Sequence, residues 1–188
     1  MLFRSHMFDI RKLQEQAIWE AVKRKSSEET AREIVYGTDG KAADQDPAVW
    51  VNGTMHRLEA KFSTSDVKQI RMSCQCGYGM EEKLALVKEL AASSSSMEEF
   101  AGFEKAKAAG LSYRDGSLYL QFGFCPCPML AQVEKLDTLT WCQCTTGYSK
   151  VLFEKAFGCD VDVELLKSIK YGDDTCLMRI VPHGVIWG

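Results

Sequence analysis

Apolar residues recur at helical spacing through the first part of the chain. Over residues 8–24, Ile10, Leu13, Ala17, Ala21 and Val22 fall near one face, and Arg11, Lys12, Glu15 and Glu20 fall mostly elsewhere, which predicts an amphipathic helix. Ser26 and Glu29 have the spacing of a capping box, so a second short helix is expected to run to Tyr36 and to stop at Gly37. Residues 38–47, rich in Asp, Gly and Ala, read as a loop, and residues 48–55 read as a strand or hairpin around Asn52-Gly53. Ser65 or Asp66 is placed to cap a helix that leads into Cys74. Leu84, Val87 and Ala91, with Leu86 and Leu90 beside them, predict a helix over 80–92. The serine run 93–96 is too short to hold domains apart and reads as a loop and N-cap for a helix over 97–109.

After residue 110 the period changes. Leu118, Leu120, Phe122 and Phe124 alternate, and Arg114-Asp115-Gly116 separates them from residues 111–113, the pattern of a β-hairpin. A helix over 147–157, an extended segment over 160–170, a turn at Gly172-Asp173 and a strand over 176–181 complete the chain. Val161, Val163 and Leu165 share one side of the extended segment, with Asp162 and Glu164 on the other. The expected architecture is α+β: helices packed on an antiparallel sheet, closing with a helix and a two-stranded antiparallel segment. A single domain over 1–188 is expected, with a helical part over 8–110 and an α+β part over 111–182.

The composition, 46% apolar and 26% charged over 188 residues, supplies enough core to exclude a disordered or fibrous chain. No stretch approaches the roughly 18 to 20 apolar residues of a membrane span, and residues 1–10 have too short an apolar run for a signal peptide. A cytoplasmic location without a membrane partner is therefore expected. With 23 Lys plus Arg against 26 Asp plus Glu, the net charge of -3 gives no electrostatic footprint for nucleic acid. The one basic run, Lys23-Arg24-Lys25, closes the first helix, where cations complement the macrodipole.

Eight cysteines change the picture, because six form three Cys-x-Cys pairs: Cys74/Cys76, Cys125/Cys127 and Cys142/Cys144; Cys159 and Cys176 stand alone. Without an export signal, and in a chain large enough to fold unstapled, metal ligation or thiol chemistry is favoured over structural disulfides. In a helix the two cysteines of such a pair point about 200° apart, whereas extended backbone puts them on one face, so the pairs are expected on extended or loop backbone. Cys125-Pro126-Cys127-Pro128 meets that need. Cys74-Gln75-Cys76 and Cys142-Gln143-Cys144 each lead into a helix, and the echo reads as two arms of one site or as a decayed duplication. Thr145 or Thr146 is expected to cap a helix beginning near Gly147, so that the dipole favours a Cys144 thiolate and makes Cys144 the candidate nucleophile. Such thiolates suit zinc or an iron–sulfur cluster.

Other groups carry less. His56 and His183 read as surface or satisfied core residues, and His6 is terminal. Glu164 reads as part of a solvated strand face, or as a metal ligand or general base. Tyr113, Tyr119, Phe122 and Phe124 read as core and cross-strand partners, and as candidate walls of an apolar ligand pocket.

The run Trp141-Cys142-Gln143-Cys144, Gly147-Tyr148, Phe157-Gly158, Val163-Glu164, Ser168-Ile169 and Gly172-Asp173-Asp174-Thr175-Cys176, followed by Arg179-Ile180, resembles the closing segment of 4-vinyl reductase-type small-molecule sensor domains. It is also similar to L-2-amino-thiazoline-4-carboxylic acid hydrolase-like proteins. With the pairs at Cys74 and Cys125 included, the chain is most similar to an uncharacterised cysteine-rich prokaryotic family, a domain of unknown function. The resemblance implies a helix and two closing strands that wall a small-molecule pocket. It also implies one zinc, for which Cys142 and Cys176 match the sensor ligands; Glu164 is shifted by one position, and Ser168 stands where a ligating cysteine would be. Cys144 and the upstream pairs supply replacement thiolates. The expected function is thus a cysteine-rich domain that binds zinc or an iron–sulfur cluster through Cys74, Cys76, Cys125, Cys127, Cys142, Cys144, Cys176 and Glu164, and that binds or senses a small molecule. A hydrolase of a small cyclic amidine, thioether or amide, and a thiol–disulfide protein, are the alternatives.

Overall fold

The computed structural model describes residues 9–187. Helix α1 (Ile10–Lys25) starts where the Asp9 carboxylate accepts the Lys12 amide, and its buried face is Gln14, Ile18, Ala21 and Val22, rotated slightly from the expected stripe. Lys23 and Lys25 of its last turn pair with Glu28 and Asp66. Helix α2 (Glu28–Tyr36) is capped by Ser27, one residue beyond the expected Ser26, and ends at Gly37.

Residues 48–55 are not a strand or hairpin. They lie inside α3 (Pro47–Lys61), which begins with an Asp46 cap and a proline in its first turn. Trp50, Val51, Thr54, Met55 and Leu58 form a helical stripe that buries fully, and this tertiary gain overrides the local Asn-Gly turn signal. Helix α4 (Thr64–Met72) is capped by Ser63, upstream of the expected Ser65 or Asp66, and buries Val67, Ile70 and Arg71. Helix α5 (Met80–Ala92) matches its expected span. The helix expected over 97–109 is divided into α6 (Met97–Gly102) and α7 (Glu104–Ala108), because Phe103 is extended.

The sheet is antiparallel throughout, in the order β1-β2-β4-β3, built from β1 (Leu111–Arg114), β2 (Ser117–Phe122), β3 (Val161–Lys167) and β4 (Cys176–Pro182). The β1–β2 turn carries Asp115 and Gly116 at φ +50° and +72°, the left-handed pair that a tight hairpin requires. Strand β2 ends at Phe122, short of Phe124, and β3 ends at Lys167, where Ile169–Tyr171 form a 3₁₀ turn.

Helix α8 (Gln143–Phe157) joins the two parts. Its Leu152, Phe153 and Phe157 pack with β3, β4, α5 and α6 in one core, while α1–α4 and residues 129–142 form the other; Leu165 touches both. At the crossing of α8 with α4 there is no room for a side chain: a Cβ on Gly147 would stand 1.9 Å from the Met72 carbonyl oxygen. Among the described residues no helix is long and apolar enough to cross a membrane.

Candidate functional site

The three Cys-x-Cys pairs converge at this crossing. Cys74 and Cys76 follow α4, Cys125 and Cys127 lie on the loop after β2, and Cys142 and Cys144 open α8. Cys127 is extended (φ -81°, ψ 115°), as its flanking prolines dictate. The third pair departs from expectation: α8 begins at Gln143 with Cys142 as its N-cap in helical conformation, a turn earlier than a Thr145 or Thr146 cap would place it. The two thiols consequently diverge. Cys142 Sγ lies 3.3 Å from Ser168 Oγ, whereas Cys144 Sγ donates to the Cys74 carbonyl at 3.2 Å. That last contact joins the two Cys-Gln-Cys arms directly.

Cys176, at the start of β4, lies close enough to the Cys125 thiol and to Ser168 for both to favour its thiolate. Cys142, Ser168 and Cys176, the positions singled out in the closing segment, therefore stand together. Glu164 does not join them: it is exposed on the opposite strand face and pairs with Arg179 at 2.6 Å. His56 and His183 are exposed and pair with Asp137 (2.9 Å) and Asp162 (2.8 Å); His6 lies outside the described residues. Cys159 packs separately, against the sheet-side core and beside Gly184.

At the centre is Arg71, fully buried, a residue that the cysteine pattern does not announce. Its guanidinium donates to the Trp141 carbonyl (3.1 Å) and weakly to Gln14 Oε1 (3.4 Å), and stacks on the Trp141 indole at 4.3 Å. Among the described residues no carboxylate pairs with it. Its positive charge acts instead on thiols, favouring the thiolate at Cys74, Cys127, Cys142 and Cys144. Two buried donors, Arg71 Nε and Trp141 Nε1, lack a well-formed hydrogen bond, and the indole N–H favours a Cys127 thiolate. Gln14 closes the ring, donating to the Cys74 carbonyl at 2.9 Å, with its Nε2 3.9 Å from Cys144 Sγ. Gln14 and Arg71 were legible only as polar residues on buried helical stripes, four residues from Ile18 and Val67 respectively.

Burial dominates the ionisation of these thiols. It pushes Cys142 up to about 11 and Cys144 up to about 12, against the pull of Ser168 and Arg71 respectively, so the α8 dipole does not leave Cys144 ionised. Burial also raises Cys74 and Cys127. Cys176 is drawn down to about 6, chiefly by the neighbouring Cys125 thiol, and Cys125 is raised in return. All eight cysteines are free. With thiols turned to carbonyls and Ser168, no three Cys, His, Asp or Glu side chains among the described residues are set as a metal site.

Against this cluster lies a cavity of about 490 Å³, bounded by α5, β2 and α8, within the range of small-molecule sites. Leu86, Val87, Leu111, Leu120, Leu152 and Phe153 give it apolar walls. Phe122 and Phe124 line it as expected, and Tyr113 and Tyr119 do not. Cys76, Cys127 and Cys144, one cysteine from each pair, also face it, beside Gln14.

Residues 7–187 match the model of a family described as a family of unknown function (DUF6144). No curated protein and no solved structure matches the chain.

Proposed function

The chain belongs to this family of unknown function; we propose that it is a cysteine-rich metal-binding module, holding zinc or an iron–sulfur cluster on thiolates, whose adjoining cavity binds or senses a small molecule. The observation that carries this reading is the carboxylate-free burial of Arg71 among thiols. A buried cation is costly unless an anion offsets it. A metal bound by several thiolates has a net negative charge and presents sulfur acceptors, which suits both Arg71 and the two underused N–H donors.

The residues available to hold such a group are Cys74, Cys76, Cys125, Cys127, Cys142, Cys144 and Cys176, soft donors that select soft or borderline metals. Binding would displace the protons that burial keeps on Cys142 and Cys144. Cys76, Cys127 and Cys144 reach the cavity wall, so a molecule in the cavity would touch the thiolate centre. Glu164, tied to Arg179 on an exposed face, is not part of this proposal. Neither the sensor-domain nor the hydrolase resemblance is needed for it, although the meeting of Cys142, Ser168 and Cys176 fits the first.

A thiol–disulfide role is the second reading, favoured by the mutual influence of the neighbouring Cys125 and Cys176 thiols on each other's ionisation. Anaerobic titration of the reduced, metal-free chain with cobalt(II) separates the two. The proposal expects intense near-ultraviolet thiolate-to-cobalt absorption that saturates at a fixed stoichiometry. Absence of that absorption, with a Cys125–Cys176 disulfide forming readily in air, would transfer the assignment to redox chemistry.

A further inference from the structure

The cavity has an electrostatic bias opposite to that of the whole chain. The protein carries 26 Asp plus Glu and a net charge of -3, yet among the described residues that line the cavity there is no carboxylate and there are two lysines, Lys83 and Lys107. Lys107 is paired with Glu104 at 2.8 Å. Lys83 has no carboxylate partner among the described residues; its ammonium stands over the Tyr148 ring at 4.9 Å, a contact that holds it at the cavity wall. Behind the thiol wall the field keeps the same sign, from buried Arg71 and from the N-terminus of α8, whose Cys144 and Thr145 both face the cavity. The rest is mostly hydrocarbon, with neutral polar side chains at Gln14, Gln121, Thr145 and Ser149, and the exposed ring of Phe124 extends the apolar lining outward.

An apolar space with an unpaired ammonium at its edge selects an amphipathic guest. Lys83 is exposed and hydrated, so a neutral hydrocarbon gains only the apolar contacts, whereas a guest that carries a carboxylate gains the ion pair as well; a small polar anion would leave the walls of Leu86, Val87, Leu120 and Phe153 wet. We propose that the cavity binds an apolar organic carboxylate, with its hydrocarbon body against these walls and its carboxylate on Lys83. This rests on the ligand-binding half of the proposed function and concerns the metal-free chain, in which burial keeps the protons on Cys127 and Cys144.

Calorimetric titration of the full chain at neutral pH with octanoate and with 1-octanol tests it, on the wild type, Lys83→Met and the control Lys88→Met. Lys83 is exposed and makes no ion pair, so its replacement leaves folding intact. The expected result is saturable octanoate binding about two- to fivefold tighter than octanol. Loss of the ion pair in Lys83→Met should weaken octanoate about two- to fivefold, with octanol and the Lys88→Met variant unchanged. Equal binding of the two ligands, or octanoate binding indifferent to Lys83→Met, overturns the carboxylate assignment while leaving an apolar binding cavity. Binding of neither overturns both the carboxylate and the ligand-binding reading. Metal content measured on the same samples reports separately on the thiolate centre.

Discussion

Arg71 lies over the indole of Trp141, its guanidinium carbon 4.3 Å from the ring centroid, and both side chains are shut off from solvent. The stack fixes a positive charge beside Cys74, Cys127, Cys142 and Cys144 and orders the backbone just before α8 through the hydrogen bond to the Trp141 carbonyl.

Replacing that cation gives effects of opposite sign in the two forms of the protein. In metal-free protein, Arg71→Met removes a buried charge that no carboxylate offsets, so stability by urea unfolding is expected to rise or to change by less than about 1 kcal/mol. Competition with a chelator should show metal affinity falling by about tenfold or more, roughly 1.4 kcal/mol, because an anionic thiolate centre loses its counter-charge. Equal affinity in the variant would remove Arg71 from the centre.

Gly147→Ala tests whether the α4–α8 crossing assembles the thiols. The added methyl meets the backbone carbonyl of Met72 at 1.9 Å, an atom that cannot turn aside, so the helices must part, at a cost of about 3 kcal/mol in urea unfolding. Gly102→Ala meets nothing within 4 Å and is expected to stay within about 0.5 kcal/mol of wild type.

Thiol burial sets a pH dependence for the metal-free chain. Cys142 and Cys144 keep their protons to about 11 and about 12, whereas in the unfolded chain they lose them near the ordinary value of 9.0. Between these limits the unfolded state binds fewer protons, so the contribution of these two thiols to stability is full below about pH 9 and is lost as pH rises toward 11 and 12. Unfolding series across this window should show the decline, and Cys142→Ala with Cys144→Ala should make it shallower, the remainder coming from Cys74 and Cys127.

Glu164→Gln breaks an exposed cross-strand ion pair with Arg179 and is expected to cost less than about 1 kcal/mol. Metal content should not change, since the carboxylate lies on the sheet face away from the cysteines. Loss of metal in this variant would restore Glu164 as a ligand.

The parts of this fold legible in the chain were those with strong local periodicity or turn chemistry. α1, α5, the β1–β2 hairpin and the closing strands follow from apolar spacing and from Asp115-Gly116. Residues 48–55 misled because Asn52-Gly53 mimics a hairpin turn, while the decisive fact, complete burial of Trp50 and Met55, is tertiary. Spacing identified the cysteines as a group but not their partners. Arg71 and Gln14 reach them from α4 and α1, elements far apart in sequence, and only the folded chain shows that a buried cation stands where the three pairs meet. The early start of α8 was hidden because Cys142, a poor capping residue, occupies the N-cap.

The most direct test of a thiolate metal centre around Arg71 is elemental analysis with an absorption spectrum, on protein purified anaerobically without a polyhistidine tag or chelator. The account predicts near-stoichiometric zinc, or iron with sulfide and visible colour, lost when Cys127 and Cys144 are replaced by serine. Metal-free protein with all of its thiols titratable, under conditions in which the chain is folded, would contradict it.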